Sequence, residues 1–316
     1  MMRVFVYEHL SGGGSIGAAE ELREAGREMR DAVVADLLRA GDCEVSVAVG
    51  SRAAMAPAGA RAVAVPAGIA AVDFVAQQAL SHDAVWVIAP ETGGVLAQLQ
   101  RVVDAGRWLG CDAAALALCS SKRATVAHAA ARGVLTPLAF AASPTTRRWV
   151  VKPDDGAGAL ATRVHNTQAA ARDDVDTRRS RGEAAVLEAW VAGESLSLSL
   201  LCRAGDAELL SVNRQHLAID AAGVLSFVGV QAHVLPRGDA RFEVLGDWAQ
   251  RLAAAVPGLH GHVGVDLVWH AQRGPVLIEI NPRVTMAYVG LSAALGRNLA
   301  TAALAAHHHE PAHAAA

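Results

Sequence analysis

The chain has 316 residues with a net charge of −3, and 53% of them are apolar, many being alanine. This length favours two or three packed lobes, the interspersed charges argue against nucleic acid as a main partner, and no apolar run approaches the about 18 residues of a membrane span. The four cysteines form no CxxC pair and the first ten residues lack a basic-then-apolar leader, so we expect a cytoplasmic protein that acts on small molecules.

The first 118 residues alternate between strand and helix patterns. Short apolar runs predict strands, and amphipathic spacing predicts helices. The predicted strands are Arg3–Tyr7, Glu44–Val49, Ala84–Ala89 and Ala113–Leu118, and the predicted helices are Gly17–Ala40 and Val95–Leu109. Because this alternation is typical of a parallel sheet covered by helices, we predict a Rossmann-like α/β domain over residues 1–118.

Two loops in this region carry glycines or an acid after a predicted strand. The turn Ser11–Gly14 (SGGG) follows the first strand, and Glu91 follows the third. The glycine run is not GxGxxG and no acid closes a second strand at the required distance, so a dehydrogenase is the weakest alternative. Loops at the carboxyl ends of parallel strands line ligand crevices. The candidate substrate-binding residues here are therefore Glu8, Gly12, Gly13 and Glu91, because an acid there could hold a substrate ammonium and turn N–H groups could hold a carboxylate.

After Ser120 the pattern becomes richer in strands. Helices are predicted over Ser121–Arg132 and Phe242–Val256, and Thr167–Gly182 reads as a surface helix and loop. Further strands are predicted at Arg148–Lys152, Ala185–Val191, Ser195–Cys202, Glu208–Val212, Val263–Trp269 and Pro275–Asn281. The alanine- and histidine-rich tail from Ala305 predicts disorder.

The last two predicted strands form a hairpin with an acidic face. If its turn is centred at residues 272–273, Trp269 lies opposite Val276 and Asp266 lies opposite Glu279. The other face is then apolar and carries Val276, Ile278 and Ile280. Opposed carboxylates repel each other, and a hard cation removes that repulsion while Asn281 adds a neutral oxygen. We predict a Mg²⁺ site at Asp266, Glu279 and Asn281, against the alternative of a solvated acidic face.

A lysine before a loop of small residues ends another predicted strand. Lys152 precedes PDDGAG, where backbone N–H groups can approach a phosphate closely. No Gly-Lys-Ser/Thr follows, so this is not a Walker A loop. Further along, Glu188 and Glu194 flank a backbone stretch suited to an adenine edge and a ribose. Taken alone, a surface hairpin with two solvated acids is the simpler interpretation of that pair.

From about residue 118 onward, the order of these residues resembles the ATP-grasp superfamily. The order runs from Lys122 through Lys152 and Glu188–Glu194 to the hairpin with Asp266, Glu279, Asn281 and Arg283. The resemblance implies an ATP-grasp fold over residues 119–304, with a mobile lobe at about 135–190 and a metal-binding lobe at about 191–304. It also implies roles for individual residues. Phosphates would be contacted by Lys122, Lys152, Gly156 and Gly158, adenine by Glu188 and the backbone near Val191, and ribose by Glu194. Mg²⁺, with Mn²⁺ as a substitute, would be held by Asp266, Glu279 and Asn281, while Arg283 would act with Lys152 in catalysis and face the transferred phosphoryl group.

Several longer stretches look like the tyramine–glutamate ligases of methanofuran biosynthesis. They are Val6–Glu8 with the glycines after it, Ala89–Thr92, Gly193–Ser197, Val212–Gln215, Gly261–Leu267 and Glu279–Thr285. This implies that glutamate is joined to tyramine or tyrosine for a methanofuran-like cofactor of one-carbon metabolism. Asn213, Thr285 and Tyr288 accordingly join the substrate candidates. The pair Met286-Ala287 departs from the small hydroxylated residues expected there, which affects the substrate pocket but not the ATP site.

The implied reaction is a carbon–nitrogen ligation through an acyl phosphate, with ADP and phosphate as products. The alternatives are another amino-acid or peptide ligase of the superfamily, a bicarbonate-dependent carboxylase or carbamoylating enzyme, and a non-catalytic nucleotide-binding protein. A carboxylase usually needs further domains, and an intact set of metal ligands argues against a degenerate site. A homodimer is the assembly considered, with neither nucleic acid nor a membrane as partner.

Overall fold

The computed structural model describes residues 1–15, 18–50, 55–156 and 158–308, and these ranges contain three β-sheets. Three sequence predictions fall outside the described residues: the helix start at Gly17, the residue Ala157 of the glycine loop, and the tail beyond residue 308. Within the described ranges, every helix is too short or too polar to span a bilayer.

The first sheet has four parallel strands in the order β3-β2-β1-β4. These strands are β1 (Met2–Glu8), β2 (Cys43–Val49), β3 (Arg61–Ala64) and β4 (Ala84–Ile88), with helices α1 (Glu20–Ala40), α2 (Ala71–Ala79) and α3 (Val95–Arg101) between and after them. The predicted parallel α/β layer is confirmed. Residues Val4–Glu8 are all buried, as expected for a central strand covered by helices on both faces. Neither β3 nor α2, which have four and nine residues, was predicted from the sequence.

Two predictions in this region are wrong. The segment predicted as a strand at Ala113–Leu118 is helix α4 (Ala113–Cys119). Its alanines and leucines are strong helix formers, and the Asp112 side chain caps the helix by accepting a hydrogen bond from the N–H of Ala115 at 2.7 Å. The helix predicted to reach Leu109 ends at Arg101, and Trp108 instead bridges to Val85 at the edge of the sheet.

The second sheet is small and antiparallel, in the order β6-β5-β7. It consists of β5 (Trp149–Pro153), β6 (Arg163–His165) and β7 (Ala185–Ala189), and it is preceded by α5 (Lys122–Ala130) and crossed by α6 (Gln168–Ser180). Ser121 caps α5 and Thr167 caps α6 through their side-chain oxygens. A separate apolar cluster that includes Trp149, Val151 and Val276 packs beneath this sheet.

The third sheet has five antiparallel strands in the order β10-β9-β8-β11-β12. They are β8 (Glu194–Arg203), β9 (Asp206–Ile219), β10 (Leu225–Gln231), β11 (Gly261–His270) and β12 (Gly274–Asn281), and α7 (Ala240–Ala255) packs on β9. Leucine and serine alternate along β8, so Leu196, Leu198 and Leu200 enter the core while Ser197 and Ser199 face the other way. That core is continuous with residues of the first sheet.

A β-bulge alters the predicted hairpin without displacing its acids. Asp266 pairs with Glu279 as predicted, but Trp269 pairs with Pro275 rather than Val276. The register shift falls between Asp266 and Leu267, so β12 uses one extra residue, Ile278, across this point. The predicted apolar face is therefore wrong at Ile278, which is only partly buried. Its neighbour Leu277 joins Ile280 in the core.

Two further helices close the described chain, α8 (Leu291–Leu295) and α9 (Leu299–His308). Helix α9 packs against α1 and β11. Residues 305–308, predicted to begin a disordered tail, are instead the last turn of α9. The alanines of this helix allow close packing, and Ala300 and Ala303 are buried in a core cluster with the strands of the first sheet.

Candidate active site

Two carboxylates and two amides converge on the hairpin of β11 and β12. Asp266 and Glu279 are cross-strand partners, and the pair Gly264–Asn281 follows two residues on. Asn281 Nδ2 donates to one Asp266 oxygen at 3.3 Å, and Gln215 Nε2 donates to the other at 2.9 Å. Burial, and then the Glu279 carboxylate, raises the pKa of Asp266 to about 7. Two partly buried carboxylates at paired strand positions are therefore unfavourable in isolation and well suited to a cation.

Lys122 connects this hairpin to the glycine loop. Its Nζ lies 2.9 Å from Glu279 Oε1 and donates to the carbonyl oxygen of Gly156 at 2.7 Å. Asp154 fixes the start of α5, because its carboxylate accepts from Ser121 Oγ and from the N–H of Arg123, each at 2.9 Å. The lysine thereby holds the loop after β5 against the acidic hairpin of the third sheet.

Lys152 forms a second buried pair inside the small sheet. Its Nζ lies 2.9 Å from Glu188 Oε2, and the two side chains are only 7% and 6% exposed. Burial alone would lower the pKa of Lys152. The carboxylates of Glu188, Glu279 and Asp266 outweigh that effect and leave the pKa raised. Lys152 is therefore a fixed cation whose field reaches both the small sheet and the hairpin.

Glu194, the predicted ribose contact, is held by two arginines. Arg214 contacts one carboxylate oxygen through Nε and Nη2 at 2.8 and 2.6 Å, and Arg241 contacts the other at 2.7 Å. Burial opposes ionisation of Glu194, but these hydrogen bonds prevail and lower its pKa. Arg241 also stacks over Trp269, which pairs with Glu194 across β8 and β11. Val191, the predicted adenine-side backbone position, has its own side chain buried in the small-sheet core.

The glycine loop also contacts the first sheet's domain. Gly156 and Gly158 have positive φ values of 139° and 70°, which favour glycine. Between this loop and the segment after β4, the carboxylate of Asp155 accepts a hydrogen bond from the N–H of Gly93 at 2.8 Å. The loop predicted to approach phosphates is thus held near the segment that carries Glu91.

Both acids predicted to hold a substrate ammonium are already occupied by protein groups. Glu8 accepts hydrogen bonds from the N–H groups of Leu10 and Ser11 at 3.0 and 2.7 Å, so it closes the turn that contains Gly12 and Gly13. A Cβ at Gly12 would meet the ring of Tyr7 at 2.6 Å, which explains glycine there. Glu91 forms a bidentate pair with Arg283 at 3.0 and 3.1 Å.

The other substrate candidates differ in access. Tyr288 is 1% exposed, its hydroxyl donates to Asp36 at 2.6 Å, and its ring therefore packs inside the protein rather than lining a crevice. Asn213 is fully buried, where its Nδ2 donates to the carbonyl of Ser197 at 3.3 Å and to nearby serine hydroxyls. Thr285 is partly buried and lies near Gly264 of β11, beside the β11–β12 hairpin.

The donor set fits a magnesium ion better than a transition metal. Within the described ranges, no three His, Cys, Asp or Glu side chains cluster with metal-binding geometry. Asp266, Glu279 and Asn281 instead supply two carboxylates and one amide oxygen, a sparse oxygen set that Mg²⁺ completes with water and phosphate oxygens. Sequence reasoning did not single out Gln215 as a site residue. Its position two residues after Asn213 on β9 was the available signal, because alternate residues of a strand share a face.

Comparison with known proteins assigns both halves of the chain. A family model for the ATP-grasp domain matches residues 119–287, more than half of the chain, and a model for the pre ATP-grasp 3 domain matches residues 43–116. No curated protein matches the sequence significantly.

Solved structures share the fold at low sequence identity. A protein of Archaeoglobus fulgidus assigned to the ATP-grasp superfamily superposes with a TM-score of 0.71 and 20% identity, covering 96% of this chain and 88% of its own. An L-amino acid ligase of Bacillus licheniformis gives 0.66 and 15%, with coverage of 96% and 73%. A D-alanine–D-alanine ligase of Bacillus anthracis, solved in complex with ATP, gives 0.62 and 14%, with coverage of 96% and 99%.

Proposed function

Because this chain belongs to the ATP-grasp family, we propose that it is an ATP- and Mg²⁺-dependent ligase that joins a carboxylate to an amine and releases ADP and phosphate. The observation that carries this proposal is the cross-strand pair Asp266–Glu279 with Asn281 beside it and two lysines close by. Such an arrangement suits the phosphates of a metal-bound nucleotide, which bring oxygens to the cation and negative charge to the lysines.

The chemistry follows from the weak reactivity of an ionised carboxylate toward amines. A carboxylate oxygen attacks the γ-phosphorus of ATP, the bond to the bridging oxygen of ADP breaks, and an acyl phosphate forms. The neutral amine then attacks the acyl carbon, the bond to the phosphate oxygen breaks, and the amine nitrogen loses a proton. Phosphate leaves with the electron pair of that bond. The free energy that activates the carboxylate therefore comes from the conversion of ATP to ADP and phosphate.

The residues divide these tasks between the sheets. Asp266, Glu279 and Asn281 would hold Mg²⁺, which supplies charge neutralisation and orientation of the phosphates when bound. Lys122 and Lys152 would contact the phosphates, and Arg283 would stabilise charge on the transferred phosphoryl group. Glu188 and the backbone near Val191 would bind adenine, and Glu194 the ribose hydroxyls. Oε1 of Glu194 accepts twice from Arg214, whereas Oε2 accepts once from Arg241 and retains a lone pair for a ribose hydroxyl.

Closure of the small sheet would protect the intermediate from water. Lys152 and the glycine loop belong to this sheet's lobe, which Lys122 links to the hairpin and Asp155 links to Gly93. An acyl phosphate hydrolyses if water reaches it, so a lobe that closes over the nucleotide raises the yield of ligation.

For the substrates, we propose glutamate as the carboxylate donor and tyramine or tyrosine as the amine, in the synthesis of a methanofuran-like cofactor for one-carbon metabolism. The support is the resemblance of Gly193–Ser197, Val212–Gln215 and Glu279–Thr285 to the tyramine–glutamate ligases. The second candidate is another amino-acid ligase of the family. The engaged state of Glu8 and Glu91 removes one argument for the glutamate pair, because these acids were the expected contacts for a substrate ammonium. The fold shared with an L-amino acid ligase and a D-alanine–D-alanine ligase supports the second candidate.

The test is product analysis by mass. The purified chain is incubated with ATP, Mg²⁺, glutamate and either tyramine or tyrosine, and ADP, AMP and adducts are quantified. A γ-glutamyl adduct formed with ADP and phosphate supports the full proposal. An adduct only with other acid–amine pairs overturns the substrates and keeps the ligase. Release of AMP and pyrophosphate overturns the acyl-phosphate mechanism.

A further inference from the structure

Glu91 and Arg283 form a buried ion pair that joins two distant parts of the fold. Glu91 follows β4 in the first domain, whereas Arg283 lies two residues after the metal-site residue Asn281. Their side chains are only 3% and 10% exposed, and both oxygens of Glu91 are used, on Nε and Nη2 of the arginine. A side-on bidentate pair of this kind fixes the plane of the guanidinium as well as its position.

Two N–H groups of Arg283 have no protein acceptor within the described ranges. A guanidinium has five N–H donors. Glu91 takes one at Nε and one at Nη2, and the carbonyl oxygen of Val284 takes one at Nη1. One N–H on each of Nη1 and Nη2 is left, and these two groups are called the free edge below. Two guanidinium N–H groups suit two oxygens of a carboxylate or phosphoryl group.

Arg283 also lies in the field of the metal-site carboxylates. The carboxylates of Glu91, Glu279 and Asp266 all attract its guanidinium, and only Glu91 holds it by hydrogen bonds. Without Glu91, the strongest remaining attraction on the guanidinium would come from Glu279 and Asp266. An arginine that moved onto those carboxylates would compete with Mg²⁺ for them.

We infer that Glu91 is the positioning residue for Arg283: it aims the free edge of the guanidinium at the reacting oxyanion and keeps this cation off the magnesium ligands. This role rests on the proposed function, since it assigns Arg283 to the oxyanion and Asp266 with Glu279 to Mg²⁺. It replaces the expectation that Glu91 binds a substrate ammonium.

The experiment measures binding without turnover. MgADP binding is followed by calorimetry at a series of Mg²⁺ concentrations, and inorganic phosphate is then titrated into the MgADP complex. Glu91→Gln removes the charge with little change in volume. We expect it to raise the half-saturating Mg²⁺ concentration on the order of fivefold to tenfold and to weaken phosphate binding by a similar factor.

A second substitution separates positioning from loosened packing. In Glu91→Gln/Arg283→Gln the competing cation is absent, so the Mg²⁺ requirement should return to within about twofold of wild type while phosphate binding stays weak. The matched control is Asp36→Asn, because Asp36 is equally buried and also joins the first domain to the segment after β12, through Tyr288. It should lower stability and leave both binding constants unchanged.

The outcomes are distinct. If wild type binds MgADP and Glu91→Gln requires the same Mg²⁺ concentration as wild type, the positioning role is wrong and the proposed ATP site is unaffected. A double variant that fails to recover, or an Asp36→Asn variant that behaves like Glu91→Gln, also overturns the role, because general loosening then explains the loss. Wild type that binds no MgADP overturns the proposed function itself.

Discussion

Replacing Lys152 by methionine should separate the stability of the small sheet from its ability to bind nucleotide. The substitution leaves the Glu188 carboxylate buried without its partner, with both side chains below 8% exposure in the native pair. Breaking a buried ion pair from one side costs about 3–5 kcal/mol. If the chain unfolds as one unit, its unfolding entropy is proportional to its length, and dividing the free-energy loss by that entropy gives a fall of roughly 5–8 °C in Tm.

The double variant Lys152→Met/Glu188→Leu should recover most of that loss. Two apolar side chains of similar volume replace the pair, and such replacements are often neutral or stabilising by about 1–4 kcal/mol. Its nucleotide site, however, lacks both a phosphate cation and the predicted adenine contact. Saturating MgADP, at about 100 times Kd, should stabilise wild type by about 2.7 kcal/mol and the double variant by almost nothing.

The assay is thermal unfolding with and without MgADP. The control is Arg178→Met, which breaks the Asp174–Arg178 pair on α6 and the hydrogen bond from Arg178 to the Ala161 carbonyl, while it leaves the Lys152–Glu188 pair intact. It should lower Tm and keep the full shift on MgADP addition. A double variant that is stabilised by MgADP as strongly as wild type would refute the assignment of Lys152 and Glu188. A single variant with unchanged Tm would refute the buried pair.

Three further outcomes are expected. Glu279→Gln should lower the rate of ADP release on the order of 100-fold or more in a coupled assay, because it removes charge from the proposed metal site, while circular dichroism should show an intact fold. A near-normal rate would place the metal elsewhere. Gly193→Ala should lower the free energy of unfolding in urea by about 1–3 kcal/mol, because the new Cβ would lie 2.3 Å from the Trp269 carbonyl oxygen. The control Gly246→Ala, in helix α7 with open space around the new Cβ, should raise the free energy of unfolding slightly. Burial lowers the pKa of His262 to about 4, so the folded protein holds its neutral form, and the contribution of His262 to the free energy of unfolding falls as pH drops from about 6.5 toward 4. In His262→Leu, the urea midpoint should lose the part of its pH dependence that comes from this histidine, and a pH dependence equal to that of wild type would contradict the argument.

Local patterns predicted those parts of the fold whose periodicity was long. The β11–β12 hairpin was predictable because apolar residues alternate over its strands, and the turn position then set Asp266 opposite Glu279. The bulge at Ile278 was not, because an extra residue in one strand leaves no mark in the alternation on either side of it. In α4, an apolar run of alanine and leucine fits strand or helix alike, and the Asp112 cap decides between them.

The candidate site was predictable residue by residue but not pair by pair. Lys122, Lys152 and Glu279 were singled out by their places at strand ends, helix starts and the hairpin face. Their partners depend on how the three sheets meet, which brings together residues far apart in sequence, as in the 192-residue separation of Glu91 and Arg283. Gln215 was missed for the same reason: the strand order β9-β8-β11 brings its amide across the sheet to Asp266.

These pairings bear on the form in which a nucleotide would enter the proposed site. Lys122, Lys152 and Arg283 are each matched by a carboxylate, Glu279, Glu188 and Glu91 in turn, and Asp266 is left over. These six paired groups and Asp266 therefore carry no surplus of positive charge with which to attract the phosphates of ATP alone. If Asp266 and Glu279 hold Mg²⁺ as proposed, the ion would supply the missing positive charge, and Lys122 would be free to contact phosphate oxygens. The proposed function therefore implies that the buried ion pairs favour the magnesium complex of the nucleotide over the free nucleotide, through charge balance rather than through shape.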